Sequence, residues 1–320
     1  PLAIELVAAR TRHVGLDQIA ARLDFRLLSA AGSDGRPSLG VALEASLEHL
    51  DPVARSALGQ LTVCVEGFTL EAADGILQFP DAEVAPWALD VIEKLAQESL
   101  VTIDPESGRV RMMHTVRVFA HDSLDAATRA AAERRHAAYF AQLGSPAAVD
   151  ALHRSGGLER LQAMAAERGN LAAALGRSLA LRDAPLAEGC AIALWEVLQV
   201  LGPLSTAWGL LKKVVETLGD RSSARLLAAA GQAATLYAGL EEAEPILLRA
   251  IERGRDTGDG VSRANAEGCL GYLHRDAGNP EEAQRYLEAS LLGHKMEGNR
   301  WGVGMALYRL GLLKYHQSQL

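Results

Sequence analysis

Among the residues of this 320-residue chain that could do chemistry, His114 has the most informative position. An imidazole donates from one ring nitrogen, accepts at the other and changes charge near neutrality, so at a chain junction it can hold an anion. The plain alternative is a turn histidine satisfied by backbone or water, and the residue alone does not choose between the two. Other chemistries lack their parts. The sequence has no Gly-x-Ser-x-Gly, His-Glu-x-x-His, Cys-x-x-Cys or Gly-x-x-x-x-Gly-Lys-Ser/Thr, and its carboxylates, histidines and thiols are scattered. No catalytic centre, metal site or phosphate cradle is therefore expected inside the chain, which is read as a non-enzyme.

The surrounding elements explain the position of His114. Residues 100–103 and 110–113 carry β-branched and long apolar side chains, and Asp104-Pro105-Glu106-Ser107-Gly108 between them has turn chemistry, which predicts a short β-hairpin. From Thr115 the period becomes helical, with Val116, Phe119, Ala120, Leu124 and Ala127 on one face. One helix to about Gln142, capped by Thr115, is expected. Upstream, Asp51-Pro52 opens a helix to about Val65, Thr69 caps a short one to Leu77, and 87–98 forms another with Ala88, Val91, Ile92 and Leu95 inward. Three or four helices and then a short hairpin is the order of a winged helix. Arg109, Arg111 and Arg117 near the wing could meet DNA phosphates, but Asp90, Glu93 and Glu98 on the presumptive recognition helix repel them.

Beyond Ala147 the pattern is helix after helix and becomes periodic. Gly231, Gly271 and Gly311 are 40 residues apart, Glu241-Glu242-Ala243 matches Glu281-Glu282-Ala283, and Gly258-Asp259 matches Gly298-Asn299. A glycine inside a helix costs about 1 kcal/mol relative to alanine. Its recurrence in one phase predicts a neighbouring helix pressed close, with Ala243 and Ala283 serving the same contact and Leu247 and Leu287 beside them. Helix pairs of this kind cover one another in an α-solenoid of TPR-like pairs. Leu307, Leu310 and Leu313 form an apolar face expected to lack its cover. Trp195, Trp208, Tyr237, Tyr272, Trp301 and Tyr308 are expected to pack between repeats, and Arg129, Arg134, Arg135 and His136 to lie on a solvated face.

Composition narrows the class. A net charge of −8 and a pI near 5.6 speak against a general nucleic-acid or membrane-surface binder. Cys64, Cys190 and Cys269 read as reduced core residues. No apolar run is expected to reach the roughly 18 residues of a membrane helix, and with no signal-peptide pattern a cytoplasmic location is expected. The sequence opens on Pro1 inside an amphipathic run and stops at Leu320 in mid-pattern, so a piece of a larger protein is expected.

In this order the motifs resemble signalling ATPases of the NB-ARC (STAND) type, as in bacterial transcriptional regulators with tetratricopeptide-like repeats. Pro1-Leu2-Ala3-Ile4-Glu5-Leu6 resembles the tail of their Gly-x-Pro-Leu-Ala motif. Leu50-Asp51-Pro52 through Gly67-Phe68-Thr69-Leu70-Glu71-Ala72-Ala73 resembles their winged-helix entry. Met113-His114-Thr115 matches Met-His-Asp in two of three positions, with Thr115 in place of the aspartate. Glu167-Arg168-Gly169-Asn170-Leu171 resembles the Glu-x-x-Asn-Leu segment that opens their repeats. The resemblance implies a mostly α chain: the end of an NB-ARC helical subdomain at 1–36, a winged helix at 37–125 and a TPR-like α-solenoid at 126–320.

It also implies that His114 hydrogen-bonds the β-phosphate of ADP and Pro1 packs on the adenine, both only in company with an upstream nucleotide-binding domain. ADP or ATP would be the cofactor of the full-length parent, with none expected for this chain alone. A protein or small-molecule inducer would bind the solenoid, the open form would oligomerise, and neither DNA nor membrane would be contacted by this part. The alternatives are a winged-helix regulator that reads DNA directly and a protein-binding scaffold without nucleotide switching.

Overall fold

The computed structural model describes residues 47, 49–79, 86–122 and 124–317. Pro1 and the whole 1–36 segment lie outside the described residues. Contacts divide the chain into two compact units, Pro1–Tyr139 and Phe140–Leu320. Among the described residues it forms fifteen α-helices and one two-stranded sheet.

In the first unit, α1 (Pro52–Leu61) starts where Asp51 accepts from the Ala54 N–H at 2.7 Å and proline occupies the first turn. Thr69 caps α2 (Leu70–Ile76) in the same way, and α3 (Ala88–Gln97) buries Ala88, Val91, Ile92 and Leu95 as its spacing predicts. The hairpin follows: β1 (Val101–Ile103) pairs antiparallel with β2 (Val110–Met112), Val101 opposite Met112. Asp104 builds the turn by accepting from the N–H groups of Ser107 (3.1 Å) and Glu106 (3.0 Å), which hold its carboxyl below the usual range. Phe68 adds a third rung, exchanging backbone hydrogen bonds of 2.9 and 2.8 Å with Val110.

The expected single helix after the hairpin is two, α4 (His114–Asp122) and α5 (Ala126–Ala141). Asp125 explains the restart, because its carboxylate accepts from the Ala127 and Thr128 N–H groups, both at 2.9 Å, and so caps α5. Thr115 lies inside α4 rather than capping it, and the first helical bond runs from Arg117 N to Met113 O at 2.9 Å. Of the basic cluster expected on a solvated face, Arg134 is exposed and the others are not. His136 is buried, and Arg135 donates to Ile76 O (2.5 Å), Gln60 Oε1 (2.8 Å) and Gln78 Oε1 (3.2 Å). Buried Gln60 exchanges two further bonds with the Gln78 backbone, so one arginine ties α5 to the ends of α1 and α2.

The second unit holds α6 (Pro146–Leu152), α7 (Gly157–Ala166), α8 (Arg168–Ala180), α9 (Ala184–Leu201), α10 (Leu204–Leu218), α11 (Ala224–Tyr237), α12 (Leu240–Thr257), α13 (Gly260–Asp276), α14 (Pro280–Met296) and α15 (Arg300–Gln317), each packed on the next. Two of the three 40-residue glycine marks have a packing cause; the expectation fails at Gly311, where a Cβ would meet nothing within 4 Å. A Cβ on Gly231 would sit 2.3 Å from Leu247 Cδ2, and one on Gly271 2.6 Å from Leu287 Cγ and 3.1 Å from Ala283 O, so the helices touch where the sequence lacks a side chain. The Gly-Asp and Gly-Asn pairs combine a stop and a start. Gly258 and Gly298 adopt φ of +73° and +65°, while Asp259 and Asn299 each accept at 3.0 Å from the N–H three residues on.

Three expectations are corrected here. Leu313 is buried against Ala283 and Leu287, with Leu310 beside it, so part of the α15 face is covered by the preceding pair and only Leu307 is exposed. Trp195 and Trp208 are buried, whereas Tyr237, Trp301 and Tyr308 are exposed. One helix, α9, is also long and apolar enough by composition to cross a membrane, contrary to the expectation of no such run. It carries Glu188 and Glu196, and more than half of its length is buried inside the unit.

Glu167 and Asn170 form the entry to α8. Asn170 is buried, and its amide donates to Glu167 Oε2 at 2.7 Å, holding the carboxylate that precedes the helix. Asn170→Ala is expected to lower stability by about 1–3 kcal/mol, read as a drop in the urea midpoint followed by circular dichroism.

Candidate functional site

The site is built on the joint between β2 and α4. Strand pairing ends at Met112, Met113 is exposed, and His114 is the first residue of α4 with its side chain exposed. Burial of Val116 and Ala120 fixes which way α4 faces and so leaves its first residue outward. Arg117, one turn on, is held from behind: its Nη1 donates to Val65 O (2.7 Å) and Cys64 O (3.3 Å), and its Nη2 lies 3.1 Å from His114 Nδ1. A guanidinium can only donate, so Nδ1 must accept, which places the ring proton on Nε2. The Nε2–H is then the donor that His114 can offer a ligand.

The arginines proposed for DNA phosphates are engaged within the fold. Arg109 donates to Gly67 O at 3.2 Å, Arg111 faces Asp104 at 3.9 Å, and Arg117 serves the two carbonyls and His114. On α3 the lone cation Lys94 pairs with Asp51 at 2.5 Å, leaving exposed Asp90 and Glu93 to set the sign of that face.

A second polar cluster, which the sequence did not reveal, lies in the other unit. Ser223 donates to Glu188 Oε1 at 2.6 Å, and Gln199 donates to Glu196 Oε2 at 2.5 Å. Burial pushes both carboxyls up, Glu196 to about 7, while the charge of Arg225 pulls each down. Arg225 is itself half-buried, and its Nη2 has no hydrogen-bond partner. Cys64, Cys190 and Cys269 are buried and unbridged, and burial raises the Cys190 thiol to about 12, far from a reactive thiolate.

No protein-family model matches the chain. Curated relatives do. A "putative HTH-type transcriptional regulator" of Mycobacterium tuberculosis is 34% identical over 163 residues, covering 47% of this chain and 18% of the regulator, and its Mycobacterium bovis counterpart matches equally. An uncharacterized M. tuberculosis protein is 31% identical over 131 residues, 39% of this chain and 33% of its own length. The aligned stretch thus spans about a fifth of the length of the regulators it matches. Among solved structures, a Signal Transduction ATPase with Numerous Domains with a tetratricopeptide repeat sensor, from Pyrococcus horikoshii, covers 99% of this chain and 57% of its own at 14% identity. Its TM-score of 0.36 is below the level at which a shared fold follows.

Proposed function

We propose that the chain is the regulatory and sensor part of a STAND-type signal-transduction ATPase and transcriptional regulator. In this reading α1–α4 with the hairpin form a winged helix, acting as a lid that closes on ADP held by an NB-ARC-type domain upstream. The second unit is a TPR-like array that takes a protein or small-molecule inducer. The carrying observation is the setting of His114: exposed at the strand-to-helix joint, its Nδ1 occupied by Arg117, its Nε2–H available to a phosphate oxygen. The name of the mycobacterial relatives fits the same class.

A histidine-to-phosphate hydrogen bond is worth about 1.5–3 kcal/mol, or one to two decades in a closed/open equilibrium. In the protein carrying its upstream ATPase, His114→Ala is expected to speed ADP release by about ten- to a hundred-fold, measured by loss of a fluorescent ADP analogue. Unchanged ADP retention would remove the histidine from the mechanism. Direct DNA reading by α3 is disfavoured by Asp90 and Glu93, since carboxylates facing phosphates repel.

A further inference from the structure

A ring contact joins two distant parts of the second unit. His153, the residue that ends α6, stacks on Trp301 in the first turn of α15, with ring centroids 4.6 Å apart and planes 9° from parallel. Helices α7 to α14 lie between them in sequence, each packed on its neighbour. Packing of neighbour on neighbour brings the first and last members of an array together only if the array curls far enough for its ends to meet. The stack marks the place where it does.

Each ring is presented by a set backbone. On one side, Arg160 Nη1 donates to Ser155 O at 2.7 Å and Ala151 O at 3.4 Å, fixing the loop that carries His153. On the other, Asn299 caps α15, and a Cβ on Gly302 would fall 2.3 Å from the His294 ring, so the start of α15 is pressed against α14. Little ordering is needed for the rings to meet. Yet Trp301 keeps 55% of its surface in water, so burial does not lock it in place.

We infer that the His153–Trp301 stack is a clasp that holds the helical array closed and can be released without unfolding any helix. An aromatic pair of this kind changes a closed/open ratio by about two- to twelve-fold. That is small enough for a ligand with a modest preference for one form to reset the balance. The clasp stands whether or not the nucleotide reading of His114 holds.

The test uses the 320-residue chain, whose three native cysteines are buried and unbridged. The pair His153→Cys and Trp301→Cys should be joined within one chain by a short bis-maleimide, a linker that tolerates the Cα separation across two stacked rings better than a disulfide does. The control pair His153→Cys and Tyr315→Cys should not, since position 315 lies about 21 Å further along α15. In Trp301→Ala, amide exchange at 150–157 and in the first turn of α15 should rise about two- to twelve-fold, unchanged in α11 and α12, with Trp301→Phe restoring part of the protection. Cross-linking no better than the control, unaltered exchange in Trp301→Ala, or no recovery with phenylalanine would each overturn the clasp.

Discussion

Gly271→Ala should lower the stability of the second unit, while the same change at Gly311 should raise it. A Cβ on Gly271 meets Leu287 Cγ at 2.6 Å, inside any real contact distance, and the Ala283 carbonyl oxygen at 3.1 Å, whereas at Gly311 it meets nothing within 4 Å. Both substitutions gain about 1 kcal/mol of helix propensity. Only the first overpacks the interface, at about 1–3 kcal/mol. Propensity is common to the two, so their difference of about 1–3 kcal/mol reads the helix contact alone. The measurement is a pair of urea midpoints followed by circular dichroism, and equal shifts in both variants would mean that Gly271 has no packing cause.

While Gly311 keeps the phase without such a neighbour among the described residues, at Gly231 and Gly271 the period was legible because a missing side chain in a helix leaves a mark on the sequence wherever a neighbouring helix presses close. The same holds at the hairpin, where Asp104 and Gly108 announce the turn and the change of period after Met112 places His114. The break between α4 and α5 was missed because Val116, Phe119, Ala120, Leu124 and Ala127 keep one helical spacing across it; the sign that could have found it is Asp125 with Thr128 three residues on, an N-cap pattern. Arg135 and His136 read as solvent-facing from sequence because α5 is rich in alanine and shows no sharp apolar stripe. Its buried side becomes visible only once Gln60 and Ile76 are in place beside it. Long-range partners such as Glu196 with Arg225, or His153 with Trp301, depend on how the array stacks and curls, which local spacing does not encode. At His114 the position was readable and the tautomer was not, since Arg117 sets it while bonded to carbonyls about fifty residues earlier.

Glu196 gives the sharpest pH-dependent expectation. Burial raises its carboxyl from the ordinary 4.5 to about 7, with Arg225 and the Gln199 amide pulling the other way. Between those two values the folded chain holds a proton that the unfolded chain releases. The stability contributed by the protonated acid is therefore fully present below about 4.5 and is lost as pH rises through about 7. At about 1.4 kcal/mol per pKa unit the loss is about 3 kcal/mol. Glutamine keeps the shape and the acceptor but cannot ionise, so Glu196→Gln should match the wild-type protein near pH 4.5 and exceed it by about 3 kcal/mol at pH 8.

Other groups add slopes of their own. Glu188 and Glu267 are raised by burial and slope the same way, whereas His153 and His294 are lowered by burial and slope the opposite way. Glu267, His153 and His294 are shared by the two proteins and cancel in the difference between their urea midpoints at pH 5, 6, 7 and 8. Glu188 shares Arg225 with Glu196 and is held constant by repeating the comparison in a Glu188→Gln background. A difference that stays flat across the series would mean that Arg225, whose Nη2 lacks a hydrogen-bond partner, swings in to pair the carboxylate as it ionises. Pairing would then offset the cost of burying the charge, and the pH sensitivity expected of this buried acid would vanish.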